Sequence, residues 1–169
     1  MTAPARVDLA GGWSDTPPIT FDYGGSVVNV ALNLGGKHPI GSEAKYAPKG
    51  QLILSYLTNS GPAQQIVTNL HELFQNITDP HTFPIAKCAI IAMGLQNELF
   101  SVHGLHIRTW SDLPVGSGLG GSSILAATVV LAISRVYGRL YSYEAVTNLV
   151  LAIEAMMTTG GGWQDQVLF

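Results

Sequence analysis

Cysteine and charge are what this sequence has least of. Cys88 is the single cysteine, which excludes an intrachain disulfide and a cysteine-based metal cluster. Charged residues make up 11% of the 169 positions against 47% hydrophobic ones, the reverse of the balance that keeps chains disordered. The net charge is −3 and no Lys/Arg cluster appears, so the electrostatic footprint of a nucleic-acid binder is missing. The longest apolar run, residues 124–133, is broken by Thr128 and falls short of the roughly 20 residues that a bilayer span takes. The opening MTAPARVDLAGG holds no apolar signal core. These absences lead us to expect a cytoplasmic protein with neither a nucleic-acid nor a membrane partner. Mean hydropathy is nevertheless positive, +0.27, so an apolar surface that needs covering is expected.

What is present divides the chain into a strand-rich first half and a helical second half. Alternation and β-formers place strands over residues 5–9, 25–34, 40–46, 51–57 and 105–110. AGGWSDTPPIT reads as a loop and APKG as a turn. QQIVTN suits a strand and LHELFQ a helix, so residues 64–75 stay ambiguous. Helical spacing of apolar residues marks 84–100, with a proline in the first turn, and 122–137, which stops near Gly138. Ser142 caps a helix over 143–158. The class is α+β, in one domain or a piece of a larger one.

Three stretches carry chemistry. In PVGSGLGGSS a strand runs through a glycine-rich loop into a helix, the recipe for an anion site. Glycines let N–H groups approach closely, the helix start adds free donors, and Ser122 and Ser123 add hydroxyls. There is no Walker lysine. Gly116, Gly118 and Gly121 match the GxGxxG spacing, yet no acidic residue after a βαβ unit supports a dinucleotide site. On the loop alone, a phosphate cradle and a flexible turn are equally open. TTGGGWQDQ holds Asp165, whose carboxylate is able to deprotonate a hydroxyl, although a polar turn is the plainer reading. Glu154 stands in the apolar stretch AIEAMM, where facing solvent is the plainer reading and metal binding the sharper one. PARVDLAGGWSDTPP gathers Arg6, Asp8, Trp13, Ser14 and Asp15, groups that suit either a polyol or a salt-bridged turn.

Taken together, RVDLAGGWSD, PVGSGLGGSS and GWQDQ resemble, in order, the motifs of the GHMP kinase superfamily. The resemblance is greatest to its L-fucose kinase branch. It implies the GHMP N-terminal domain (ribosomal protein S5 domain 2-like) over residues 1–169, truncated before the C-terminal GHMP domain that packs on it. It also implies ATP-dependent phosphorylation of the anomeric hydroxyl of L-fucose, with ATP and Mg²⁺ as cofactors. By position, Pro114, Gly116, Ser117, Gly118, Leu119, Gly120, Gly121, Ser122 and Ser123 hold the nucleotide. Ser122 and Glu154 hold the metal, and Asp165 and Arg6 are catalytic. Asp15, Trp13, Ser14 and Gly162 bind the sugar. Another GHMP sugar kinase, acting for example on a heptose phosphate, and an inactive nucleotide-binding fragment are the alternatives.

Overall fold

The computed structural model describes residues 1–58, 61–114 and 116–158. Strands β1 (Thr2–Ala3), β2 (Ala5–Ala10), β3 (Val28–Leu32), β4 (Ile40–Ala47), β5 (Leu52–Thr58), β6 (Gly61–Val67) and β7 (Gly104–Ser111) form two sheets. A five-stranded sheet has the order β1-β4-β7-β5-β6, antiparallel except for the β5–β7 pair. β2 and β3 make a separate antiparallel hairpin. The helices are α1 (Ile19–Asp22), α2 (Leu70–Phe74), α3 (Pro84–Ala92), α4 (Gln96–Ser101), α5 (Gly121–Val136) and α6 (Tyr143–Met156). The α+β class is as expected.

Alternation explains which sheet face is covered. In β7, Leu105, Ile107 and Thr109 are buried, while His106, Arg108 and Trp110 take the opposite side. The buried set joins Leu52 and Leu54 of β5 against Ile90 of α3, Val130 and Ile133 of α5, and Val150 and Ile153 of α6. Helix α5 is apolar almost all round because it lies between the sheet, α3 and α6. Cys88 belongs to this core, and burial pushes its thiol from 9.0 up to about 11, so the protonated, unreactive form prevails. The helix-free face carries Glu43 and Lys45 beside Arg108 and His106, with Ser55 Oγ 2.9 Å from His106 Nε2. Trp110 lies across Gly41 on that face, where a side chain at 41 would collide with its ring. It is therefore a packing residue of the sheet.

Two expectations need correction, and the segment left open is resolved as its two halves suggest. The single helix over 84–100 is two, α3 and α4, because Gly94 turns the chain at φ +66° and Leu95 N–H reaches back to the Ile90 carbonyl at 3.1 Å. The ambiguous 64–75 segment is a strand and then a helix, parted where Asn69 caps α2 by accepting from Glu72 N–H at 3.0 Å. The loop after β2 contains the short α1.

The hairpin β2–β3 leaves apolar side chains in the open. Val28, Val30, Leu32 and Leu9 are exposed, and so are Phe21 and Tyr23 in the connection between the strands. This is the uncovered apolar surface that the positive mean hydropathy foreshadows.

Candidate active site

A small second core holds the glycine-rich loop in place. Leu113, before it, and Ile124, after it, are buried with Ala3, Ala5 and Ile40, and Leu119 packs on them. The loop is thus anchored by its apolar members and free along its glycines. Gly116, Gly118 and Gly120 all have φ near +70° (73°, 71° and 73°). At Gly116 and Gly118 a side chain would meet nothing within 4 Å, so glycine is needed there for backbone conformation rather than for room. Gly121 is already the first helical residue. The spacing read as GxGxxG is therefore an alternation of left-handed glycines at 116, 118 and 120.

Helix α5 starts from Gly120 with no side-chain cap among the described residues. Helix α6, in contrast, is capped by Ser142, which accepts from Ala145 N–H at 3.3 Å. The start of α5 is the positive end of its helix dipole, a place that suits an anion.

Strand β2 brings the first motif to this loop. Arg6 N–H donates to the Leu119 carbonyl at 3.3 Å. The Arg6 side chain is buried and ion-paired with Asp8, two positions along the strand and so on the same face. Asp8 in turn stands opposite Asn29 of β3. Of the two readings the first motif allows, a polyol site or a salt bridge, Asp8 shows the salt bridge, and its i, i+2 spacing from Arg6 is the signal for it.

Glu154 does not face solvent. It is 7% exposed and accepts a hydrogen bond from the hydroxyl of Ser123, itself buried. This bond joins the C-terminal part of α6 to the first turn of α5. A buried bond to a carboxylate contributes about 2 kcal/mol. Ser122, expected beside Glu154, is exposed. The serine next to Glu154 is Ser123, because neighbouring helical residues point about 100° apart. Replacing Ser123 with alanine should therefore loosen α5 from α6 and lower the thermal midpoint, whereas Ser122→Ala should leave it unchanged. Melting of both variants checks this, and equal melting curves would return the two serines to parity.

The loop after β2 is pinned through Ser14. Its hydroxyl lies 2.7 Å from the Gly11 carbonyl and 3.1 Å from both the carbonyl and the N–H of Ser26. Gly11 and Gly25 allow this approach, since side chains there would collide with the backbone of Ser26 and Ser14. Ser14 was expected to bind sugar; its hydroxyl is instead committed to loop backbone. Trp13 is 65% exposed with φ +70°, a conformation that costs a bulky residue energy and marks a held position. Asp15 is half-buried. Gly162 and Asp165 lie outside the described residues. Among the described residues, no group of three His, Cys, Asp or Glu side chains could hold a metal ion, and no helix is long and apolar enough to cross a membrane.

A glycine-rich loop, an uncapped helix start, a hydroxyl–carboxylate pair and a buried arginine thus meet at one end of the helix layer. The model for the GHMP kinases N terminal domain matches residues 85–169, half of the chain. The chain belongs to the GHMP kinases. This GHMP domain is 41% identical over 167 residues to the bifunctional fucokinase/GDP-fucose pyrophosphorylase of Arabidopsis thaliana, covering 97% of the chain and 15% of that relative. It is 35% identical to the L-fucokinase/L-fucose-1-P guanylyltransferase of Bacteroides fragilis, covering 97% of the chain and 18% of that relative. The chain therefore spans less than a fifth of the curated relatives it matches. Its fold is shared with a mevalonate kinase (TM-score 0.76, 19% identity, 99% of this chain and 49% of that one). A D-glycero-D-manno-heptose 1-phosphate kinase from Bacteroides thetaiotaomicron shares it too (TM-score 0.74, 22% identity, 98% and 51%).

Proposed function

We propose that this GHMP domain is part of a sugar kinase that transfers the terminal phosphoryl group of ATP to the anomeric hydroxyl of L-fucose, giving L-fucose 1-phosphate. One observation carries the substrate: identity of 41% and 35% along nearly the whole chain to two proteins named as fucokinases. The placement of the cations agrees with a neutral sugar. Lys45 and Arg108 lie on the helix-free sheet face, Arg135 and Arg139 are at the far end of α5, and Lys87 is buried.

The residues present fit ATP and Mg²⁺. The glycine-rich loop and the N-terminus of α5 suit phosphate oxygens. Oxygen donors from Ser123 and Glu154 suit a hard cation that keeps phosphate and water ligands as well, so a full protein cage is not needed. When bound, ATP with Mg²⁺ supplies the phosphoryl group and offsets its charge. The chain's own work is then to hold the phosphates at the helix start and to place the sugar over Trp13 and Asp15. Asp165 takes the proton of the attacking hydroxyl. Arg6, fixed by Asp8 and by the tie to Leu119, presents its guanidinium beside the reacting centre, where phosphoryl transfer is served mainly by positioning and charge.

The test is an ATP-coupled assay on the full-length protein over L-fucose, galactose and a heptose phosphate. Turnover of L-fucose above the others is expected. Turnover of heptose phosphate without L-fucose would refute the substrate. Nucleotide binding without turnover of any sugar would favour a binding role. The C-terminal GHMP domain of the full-length protein packs, on this reading, on the exposed apolar hairpin face. Residues 1–169 expressed alone should then bind a hydrophobic dye and self-associate; a protease-resistant monomer would count against that packing.

A further inference from the structure

The salt bridge to Arg6 engages one of the two Asp8 oxygens. Oδ1 is buried against the guanidinium. Oδ2 stands against Gly12: a methyl group on Gly12 would lie 2.8 Å from it and 3.5 Å from the Asp8 Cγ. Chain neighbours aside, the three atoms nearest to that methyl all belong to Asp8. The Gly12 backbone is outside the left-handed region, so alanine fits there by conformation. What it lacks is room, and Asp8 takes that room.

An extended strand would hold residues 8 and 12 about 13 Å apart. Two features fold the chain back. The register of β2 on β3 shifts between Asp8 and Ala10, a bulge that bends the strand and re-aims its side chains. Gly11 then turns at φ +76°, a conformation open to glycine. Beyond it the chain is a run of turns: Ser14 N–H donates to the Gly11 carbonyl and Thr16 N–H to the Trp13 carbonyl, both at 3.1 Å. Gly12 therefore moves as one piece with Trp13 and Asp15. Arg6, on the other side of the carboxylate, is tied through its N–H to Leu119 of the glycine-rich loop. One carboxylate thus stands between the loop 11–16 and the arginine.

We propose that Asp8 is a positioning residue that couples the loop 11–16 to the Arg6 guanidinium: one oxygen holds the arginine, and position 12 is glycine so that the other can stand against the loop. This rests on the reading of Arg6 as the group beside the reacting centre. Asp8 needs no contact with ATP in this role. Its effect falls on the step that Arg6 serves and not on nucleotide binding.

The experiment measures ATP-coupled sugar turnover by the full-length protein and its variants. Asp8→Asn keeps the size and removes the charge. Its kcat should fall about tenfold to a hundredfold, the range of one charged hydrogen bond, with the KM for ATP unchanged. Gly12→Ala keeps both charges and pushes the carboxylate off its place. Its kcat should fall about tenfold, the scale of a small misplacement at the reacting centre, again at constant KM for ATP. In an Asp8→Ala background the same methyl meets only the Cβ at position 8, at 3.7 Å, so adding Gly12→Ala there should change nothing. Wild-type kcat in Gly12→Ala, an equal loss in kcat and in KM for ATP, or the same Gly12→Ala penalty with and without the Asp8 carboxylate overturns the proposal. Should the Asp8 variants fail to accumulate folded, Gly12→Ala carries the test alone, and wild-type kinetics there are fatal. Wild-type kcat in Arg6→Met overturns the reading of Arg6 and this proposal together. A collapse of kcat in Arg6→Met, with Asp8→Asn and Gly12→Ala at the wild-type rate, overturns this proposal alone.

Discussion

Asp165→Asn should lower kcat of the full-length kinase by about 10²- to 10⁴-fold, the usual yield of a positioned general base, and leave ATP affinity almost unchanged. Asparagine has nearly the same size and still accepts hydrogen bonds. What it loses is the carboxylate that, on the proposed reading, takes the proton of the attacking hydroxyl. The acid–base role and a metal-ligand role part company in this variant. A base affects the chemical step, whereas a metal ligand affects nucleotide binding as well. Steady-state kinetics with an independent ATP titration reads both. A rate near wild type removes Asp165 as the base, and a parallel fall in ATP affinity moves it to the metal.

Glu154→Gln should cost about tenfold to a hundredfold in affinity for Mg-ATP, since a charge-assisted contact is roughly twice as strong as a neutral one. It should shift the melting temperature by only a few degrees. Glutamine still offers an oxygen to the Ser123 hydroxyl, so the bond between α5 and α6 survives. The negative charge that the proposed role as ligand for a hard cation requires does not. Were Glu154 a helix clip and nothing more, the amide would serve as well and the kinetics would stay at wild type. Varying Mg²⁺ at fixed ATP sharpens the comparison, because the deficit should shrink as the metal is raised. Alanine would confuse the two roles by leaving a buried serine hydroxyl without its acceptor.

Much of this arrangement was legible in the amino-acid sequence, and the parts that were not share a cause. Strand β7 announces itself by alternating Leu105, Ile107 and Thr109 with His106, Arg108 and Trp110. Ser142 marks the start of α6 by its chemistry. The order of the three motifs pointed to the family that the chain belongs to. What failed was direction. Ser122 and Ser123 are equivalent on paper, and only the arrival of Glu154 from another helix distinguishes them. Ser14 has the hydroxyl of a sugar ligand, but that hydroxyl turns inward to Ser26, twelve residues on. Gly94 sits in an apolar run where the helical period continues on both sides, so the period hid the left-handed glycine that ends α3.

The tie between Arg6 and Leu119 is made of main-chain atoms on both sides. No exchange of side chains can remove it short of proline at position 6, which would take away the donor. The joint between the strand that carries Arg6 and the glycine-rich loop is therefore indifferent to which side chains flank it. On the proposed reading, positions 13 and 15 can change toward a new acceptor while this main-chain tie and the Ser14 anchor stay intact. A scaffold of this kind can be re-tooled at its rim without being rebuilt at its seam. Libraries that randomise Trp13 and Asp15, leaving Ser14 and the backbone at 6 alone, are where a change of acceptor should be sought.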